Sequence, residues 1–288
     1  MNDQNFLENN IQGKYYERFD AFSRFLHLLV IISFLSLAIT GMVIKFSGVS
    51  VFQFISKILG GYEVTGFIHR VAALITFFYF FMHIGYLIKK KKKRKQKIKD
   101  LLKGESSLMF NKRDLIEFYQ TMKWFFGIGK RPAYGRWTYW EKFDYFAVFW
   151  GVAVIGSSGL FLWFPEFFTK LGFPGWFINI ATIIHSDEAL LAVGFIFTVH
   201  FFNTHFRPDK FPMDRVIFTG KVSLEELKKD RPREFELIMN EDKYKTKINN
   251  VPPSSALDKA AKIFGFIALF IGLTIIVLIL YSMIFVYK

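Results

Sequence analysis

Five stretches of the chain, at about 24–46, 64–88, 143–164, 178–202 and 262–287, are apolar almost without interruption, and polar segments separate them. About 20 such residues cross a hydrocarbon layer about 30 Å thick, so the pattern predicts five membrane-spanning helices. Residues 1–23 are polar, and the first apolar run is long enough to remain as an anchor, so no cleavable leader is expected.

Between the second and third spans, 111–127 places Leu115, Ile116, Tyr119, Met122 and Phe126 near one face of a helix. It reads as a helix on the inner membrane surface, or as one packed on cytoplasmic neighbours. After the fourth span, Ser-Leu-Glu-Glu at 223–226 is a capping-box match opening a short helix that stops before Pro232, and Pro252 and Pro253 mark a linker into the last span. The expected organisation is an N-terminal segment 1–23, a four-helix core 24–205 with a basic loop at 89–142, a segment 206–261 with a short helix, and a fifth span 262–288.

The net charge of +14 is unevenly placed. One basic stretch begins with the lysine run at 89–99 and continues to Lys142, and another runs from Arg207 to Lys262, whereas the connections 47–63 and 165–177 hold only Lys57 and Lys170. Positive loops stay inside, which puts the N-terminus and both basic stretches on the cytoplasmic side of a bacterial or archaeal inner membrane. Lysines beside a span report topology and touch anionic lipid, and no nucleic-acid partner is expected. The absence of cysteine excludes iron–sulfur clusters and covalently attached haem within this chain. Redox chemistry here would need a centre held by histidine.

All six histidines fall in or at the ends of the first, second and fourth spans. His69 and His83 are fourteen positions apart, which returns the helix to within about 40° and advances it about 21 Å. His185 and His200, fifteen apart, repeat the arrangement within about 60° and about 22 Å. The second and fourth spans run in the same direction in this topology, so His69 is level with His185 and His83 with His200. Facing imidazoles on rigid helices are what a b-type haem with two axial histidines requires, and two stacked haems would carry electrons across the membrane. A lone intramembrane histidine is as readily a hydrogen-bonding group between helices, but matched spacing at matched depths argues for ligation. Zinc would need four convergent ligands, and no such cluster is visible.

These features resemble the membrane cytochrome b subunits of formate dehydrogenase, nickel–iron hydrogenase and thiosulfate reductase. The resemblance rests on Arg-Phe-Leu-His at 24–27, Thr-Gly at 40–41, His-Arg at 69–70, Glu-Lys-Phe-Asp-Tyr-Phe at 141–146, His185, His200 and Gly-Lys-Val-Ser at 220–223, over roughly 20 to 235. It implies an all-α membrane protein, a four-helix transmembrane haem-binding bundle plus a fifth C-terminal transmembrane helix. It further implies two b-type haems passing electrons between an outer-face iron–sulfur or multihaem cytochrome subunit and a quinone, menaquinone or ubiquinone, near the cytoplasmic side. The outer haem would use His69 and His185. For the inner haem the resemblance favours His27 with His200, and the spacing favours His83 with His200; both stay open.

Arg24 and Arg70 suit the anionic propionates of haem. Glu141, Asp144 and the left-over histidine, His83 if His27 is the ligand, are candidates for the protons that quinone reduction takes up. Asp187 and Glu188 need partners at the membrane boundary, with Arg70 or Lys170 expected, and His205 is expected to meet water or lipid headgroups. A proton-coupled transporter or channel using the same histidines without haem is the rival class.

Overall fold

The computed structural model describes residues 11–93, 104, 106–207 and 210–286. The start of the N-terminal segment and the latter part of the lysine run, 94–99, lie outside the described residues. Among the described residues five helices are long and apolar enough to cross a membrane: Ala21–Lys45, Tyr62–Lys92, Tyr139–Trp163, Trp176–Phe206 and Ser255–Val286. The predicted spans are therefore present.

The chain divides into two compact units. One holds residues 25–86, 147–214 and 262–288, which is most of the spanning helices. Its core joins Ala38, Met42, Val43 and Phe46 of the first span, Val193, Phe197 and Phe201 of the fourth, and Ala268, Leu269, Ile275 and Ile279 of the fifth. The fifth span thus docks on the first and fourth. Gly272 makes the approach possible, since a Cβ there would lie 2.5 Å from Phe201 and 2.6 Å from Phe197. Gly272→Leu is expected to lower stability by about 1–3 kcal/mol through overpacking, read as a lower thermal midpoint in detergent. A helix Ser50–Ile58 in the first connection was not foreseen; it contributes Phe52, stacked on Phe46 at 5.5 Å.

The other unit gathers residues 1–24, 87–146 and 215–261. Polar segments read separately along the sequence thus form one body. Three short strands make its sheet in the order β2-β1-β3: β1 (Tyr15–Glu17) pairs antiparallel with β2 (Lys221–Ser223) and with β3 (Ile248–Asn249). Under the sheet lie Ile11, Tyr16, Val222, Leu224, Leu227, Phe235 and Ile238. Ser223 caps the helix Leu224–Asp230 by accepting from the Glu226 amide at 3.1 Å, as its motif predicts. Pro232 does more than end that helix: it opens the next, Pro232–Asn240, because the first helical position needs no amide hydrogen.

Buried ion pairs complete this unit. Glu234, 2% exposed, is 2.8 Å from Arg136 and 3.5 Å from Arg18. Arg18 and Arg136 also donate to each other's backbone carbonyls, both at 2.6 Å. Glu141 accepts from Arg231 at 2.8 Å and from the Thr138 amide and hydroxyl at 2.8 Å each.

Candidate functional site

The membrane-spanning unit brings His69 and His185 together, their ring centres 6.2 Å apart and their planes at 74°. The nitrogens that the two rings use for hydrogen bonding decide what they can bind. Thr40 donates its hydroxyl hydrogen to the Ser36 carbonyl at 2.6 Å, so at 2.9 Å it accepts from Nδ1 of His69. Nδ1 of His185 lies 2.9 Å from the Ile155 carbonyl, which can only accept. Both rings therefore carry hydrogen on Nδ1 and present the Nε2 lone pair.

That is the state in which imidazole ligates a metal, with its other nitrogen held by a backbone or hydroxyl oxygen. A metal between two imidazole nitrogens at about 2 Å each separates the ring centres by about 6 Å. The residues fit an iron held between them.

Local structure explains how the pair is positioned. The third span widens into a π-turn at Val152–Gly156, which re-registers the backbone ladder, and the carbonyl that holds His185 belongs to this turn. Gly159 follows one turn later, where a Cβ would lie 2.9 Å from Cε1 and 3.2 Å from Nδ1 of His185. Only a glycine lets the ring lie this close to the third span. On the other side, the site of a Gly41 Cβ is 3.5 Å from Cε1 of His69. The Thr-Gly pair at 40–41 thus acquires a physical role, whereas Ile155 and Gly159 were missed; the Ser-Ser-Gly run at 157–159 was their one visible sign.

His200 lies within electrostatic reach of both His27 and His205. His200 ends a second π-turn, Ile196–His200, so its direction departs from that of a uniform helical period. The ring centre of His83 is 6.3 Å from that of Phe149. His205 is not at a wet helix end: it is 6% exposed, its Nδ1 is 2.7 Å from the Pro212 carbonyl, and its ring centre lies 4.5 Å from that of Phe201. Residues after the fourth span pack on it, which spacing alone does not reveal.

The charged candidates also have definite places. Asp187 pairs with Lys45 at 3.1 Å and Glu188 accepts from the Trp150 indole at 3.3 Å, so neither takes the expected Arg70 or Lys170. Arg70 is exposed and lies beside Gly66. Within the polar unit, Arg24 donates to the Phe218 carbonyl at 3.0 Å, with its Nε buried and without a hydrogen-bond partner. Glu141 is engaged as described above, and Asp144 is half-buried one turn further along the same helix. Among the described residues no three histidine, aspartate or glutamate side chains converge on one point.

A comparison with curated proteins found no match. Across residues 18–208, which include every histidine, the sequence matches the family described as prokaryotic cytochrome b561, and the chain belongs to this family of all-α, multi-pass membrane proteins that bind b-type haem and transfer electrons.

Proposed function

We propose that the chain is the dihaem subunit of a quinone-linked respiratory oxidoreductase in a bacterial or archaeal inner membrane, with its N-terminus cytoplasmic. It passes electrons between an outer-face subunit carrying iron–sulfur clusters or several haems and a quinone near the cytoplasmic side. The observation that carries this reading is the pair His69 and His185, each with Nδ1 engaged and Nε2 presented. Bound haem iron supplies one-electron chemistry.

The chain's own residues supply the rest. Thr40 and the Ile155 carbonyl fix the tautomers and aim both rings. His200 would hold the second haem, with His27, the partner that the family resemblance favours, across from it. Arg70, next to His69, would face a propionate. Quinone reduction needs protons; Glu141, Asp144 and His83 are the candidates to carry them, Glu141 being held by Arg231 and Thr138.

The test is a reduced-minus-oxidised visible spectrum with haem quantified per chain. Two b-type haems are expected in the natural chain, one in His27→Ala and two in His83→Ala. The reverse result for these variants would make His83 the ligand. An intact chain without haem would overturn the proposal and favour a transporter that relays protons through the same histidines.

A further inference from the structure

The helix Lys112–Phe125 is inside out for a segment in water. Its buried residues are Asp114, Glu117 and Thr121. Its outward residues include Leu115 (73% exposed), Ile116 (56%) and Tyr119 (62%), and Phe126 just beyond its end is 72% exposed. Met109, Phe110 and Ile128 extend this apolar surface beyond both ends of the helix.

Specific bonds lock the inversion. Asp114 accepts from Lys142 at 2.8 Å and from the Asn111 amide at 2.6 Å, closing a capping box. Glu117 accepts from Arg233 at 2.7 Å. Thr121 donates to the Glu117 carbonyl at 2.6 Å and accepts from the buried Tyr134 hydroxyl at 2.7 Å. Rolling the helix over to hide its apolar side would break the bonds to Lys142, Arg233 and Tyr134 and strand buried Lys142 without its partner.

An apolar side held outward in this way requires an apolar surrounding. Two observations identify it as lipid. Phe118 packs edge-on at 5.4 Å against Tyr139, the first residue of the third span, so the exposed side is continuous with a surface that enters the membrane. Both carboxylates of the helix are neutralised inside, so exposed Lys112, Lys123 and Lys130 leave the outer surface positive beside the apolar strip. Lys123 lies over the Tyr119 ring at 5.3 Å, the posture of a cation whose stem is apolar and whose head seeks phosphate.

We infer that the helix Lys112–Phe125 lies in the headgroup region of the bilayer with Leu115, Ile116, Tyr119 and Phe126 in the acyl boundary, anchoring the polar unit to the lipid surface. The chain has no cysteine, so single labels are readily placed. Nitroxide labels at Ile116→Cys, Tyr119→Cys and Gln120→Cys in the full chain, reconstituted in phosphatidylethanolamine and phosphatidylglycerol vesicles, report collisions with oxygen and with a water-soluble nickel chelate. Labels at 116 and 119 are expected to favour oxygen several-fold over the label at 120. Water-like collision ratios at 116 and 119 would overturn the inference. So would exclusion of both reagents there, which would assign the surface to a protein partner or a second copy. The readout is independent of haem, so it stands or falls apart from the proposed electron transfer.

Discussion

Replacing His185 with alanine is expected to remove one haem from each chain and leave the other, about half of the haem iron with the loss of one axial ligand. His69→Ala should produce the same spectrum, because the two imidazole ring centres lie 6.2 Å apart. Gly159→Val provides a sharper test, since it leaves both histidines in place. Its Cβ would fall 2.9 Å from the His185 ring, and the added methyls would push the imidazole off the Ile155 carbonyl, 2.9 Å away. Losing both the orientation and the fixed tautomer removes ligation without removing the ligand, and second-layer losses of this kind lower metal affinity about 10–100-fold. Loss of the same haem in His69→Ala, His185→Ala and Gly159→Val would establish the site. Full haem content in Gly159→Val would show that the ring tolerates displacement and that the packing is incidental.

Glu234→Ala is expected to destabilise the polar unit by about 3–5 kcal/mol, the usual consequence of removing one partner from a buried ion pair. Glu234 stands between Arg136 at 2.8 Å and Arg18 at 3.5 Å. Arg18 is 6% exposed; burial and then neighbouring Arg231 push its guanidinium below the ordinary range, while Glu234 and Glu141 push it back up. Without Glu234, two adjacent cations whose backbone bonds hold them together would share one exposed flank and only the more distant Glu141, 3.8 Å from Arg18. The variant should melt earlier by Trp137 fluorescence, since that indole lies 5.7 Å from Arg18 and 5.3 Å from Arg136. Glu234→Gln keeps the shape and removes only the charge, so a smaller but definite loss separates charge from packing. A Glu234→Ala midpoint equal to that of the natural chain would mean that the two arginines find other partners.

The apolar runs and their lengths were enough by themselves to determine a five-span helical membrane protein, and the placement of six histidines within them marked histidine as the candidate holder of a redox centre. Those properties follow from length against membrane thickness and from which side chains bind metal, and neither depends on distant contacts. The pairing of His69 with His185 was legible for the same reason: parallel spans put equal depths side by side. The oxygens that aim these rings were not legible, because Thr40 and Ile155 come from other helices and Ile155 sits in a π-turn that no residue spacing announces. Nor was the sheet, whose strands are two or three residues long and join positions more than 200 apart in the chain.

His205 and the helix Lys112–Phe125 mark the boundary most clearly. The residue pattern shows that a helix has two unlike faces, but not which face the rest of the protein will cover. Tertiary structure decided that: residues after the fourth span pack on His205, and buried Lys142 and half-buried Arg233 claim Asp114 and Glu117, so the polar face turns inward and the apolar face is left outside. Amphipathicity is a local property of sequence, whereas the choice of inside face is set by the charges and carbonyls that folding brings to meet it.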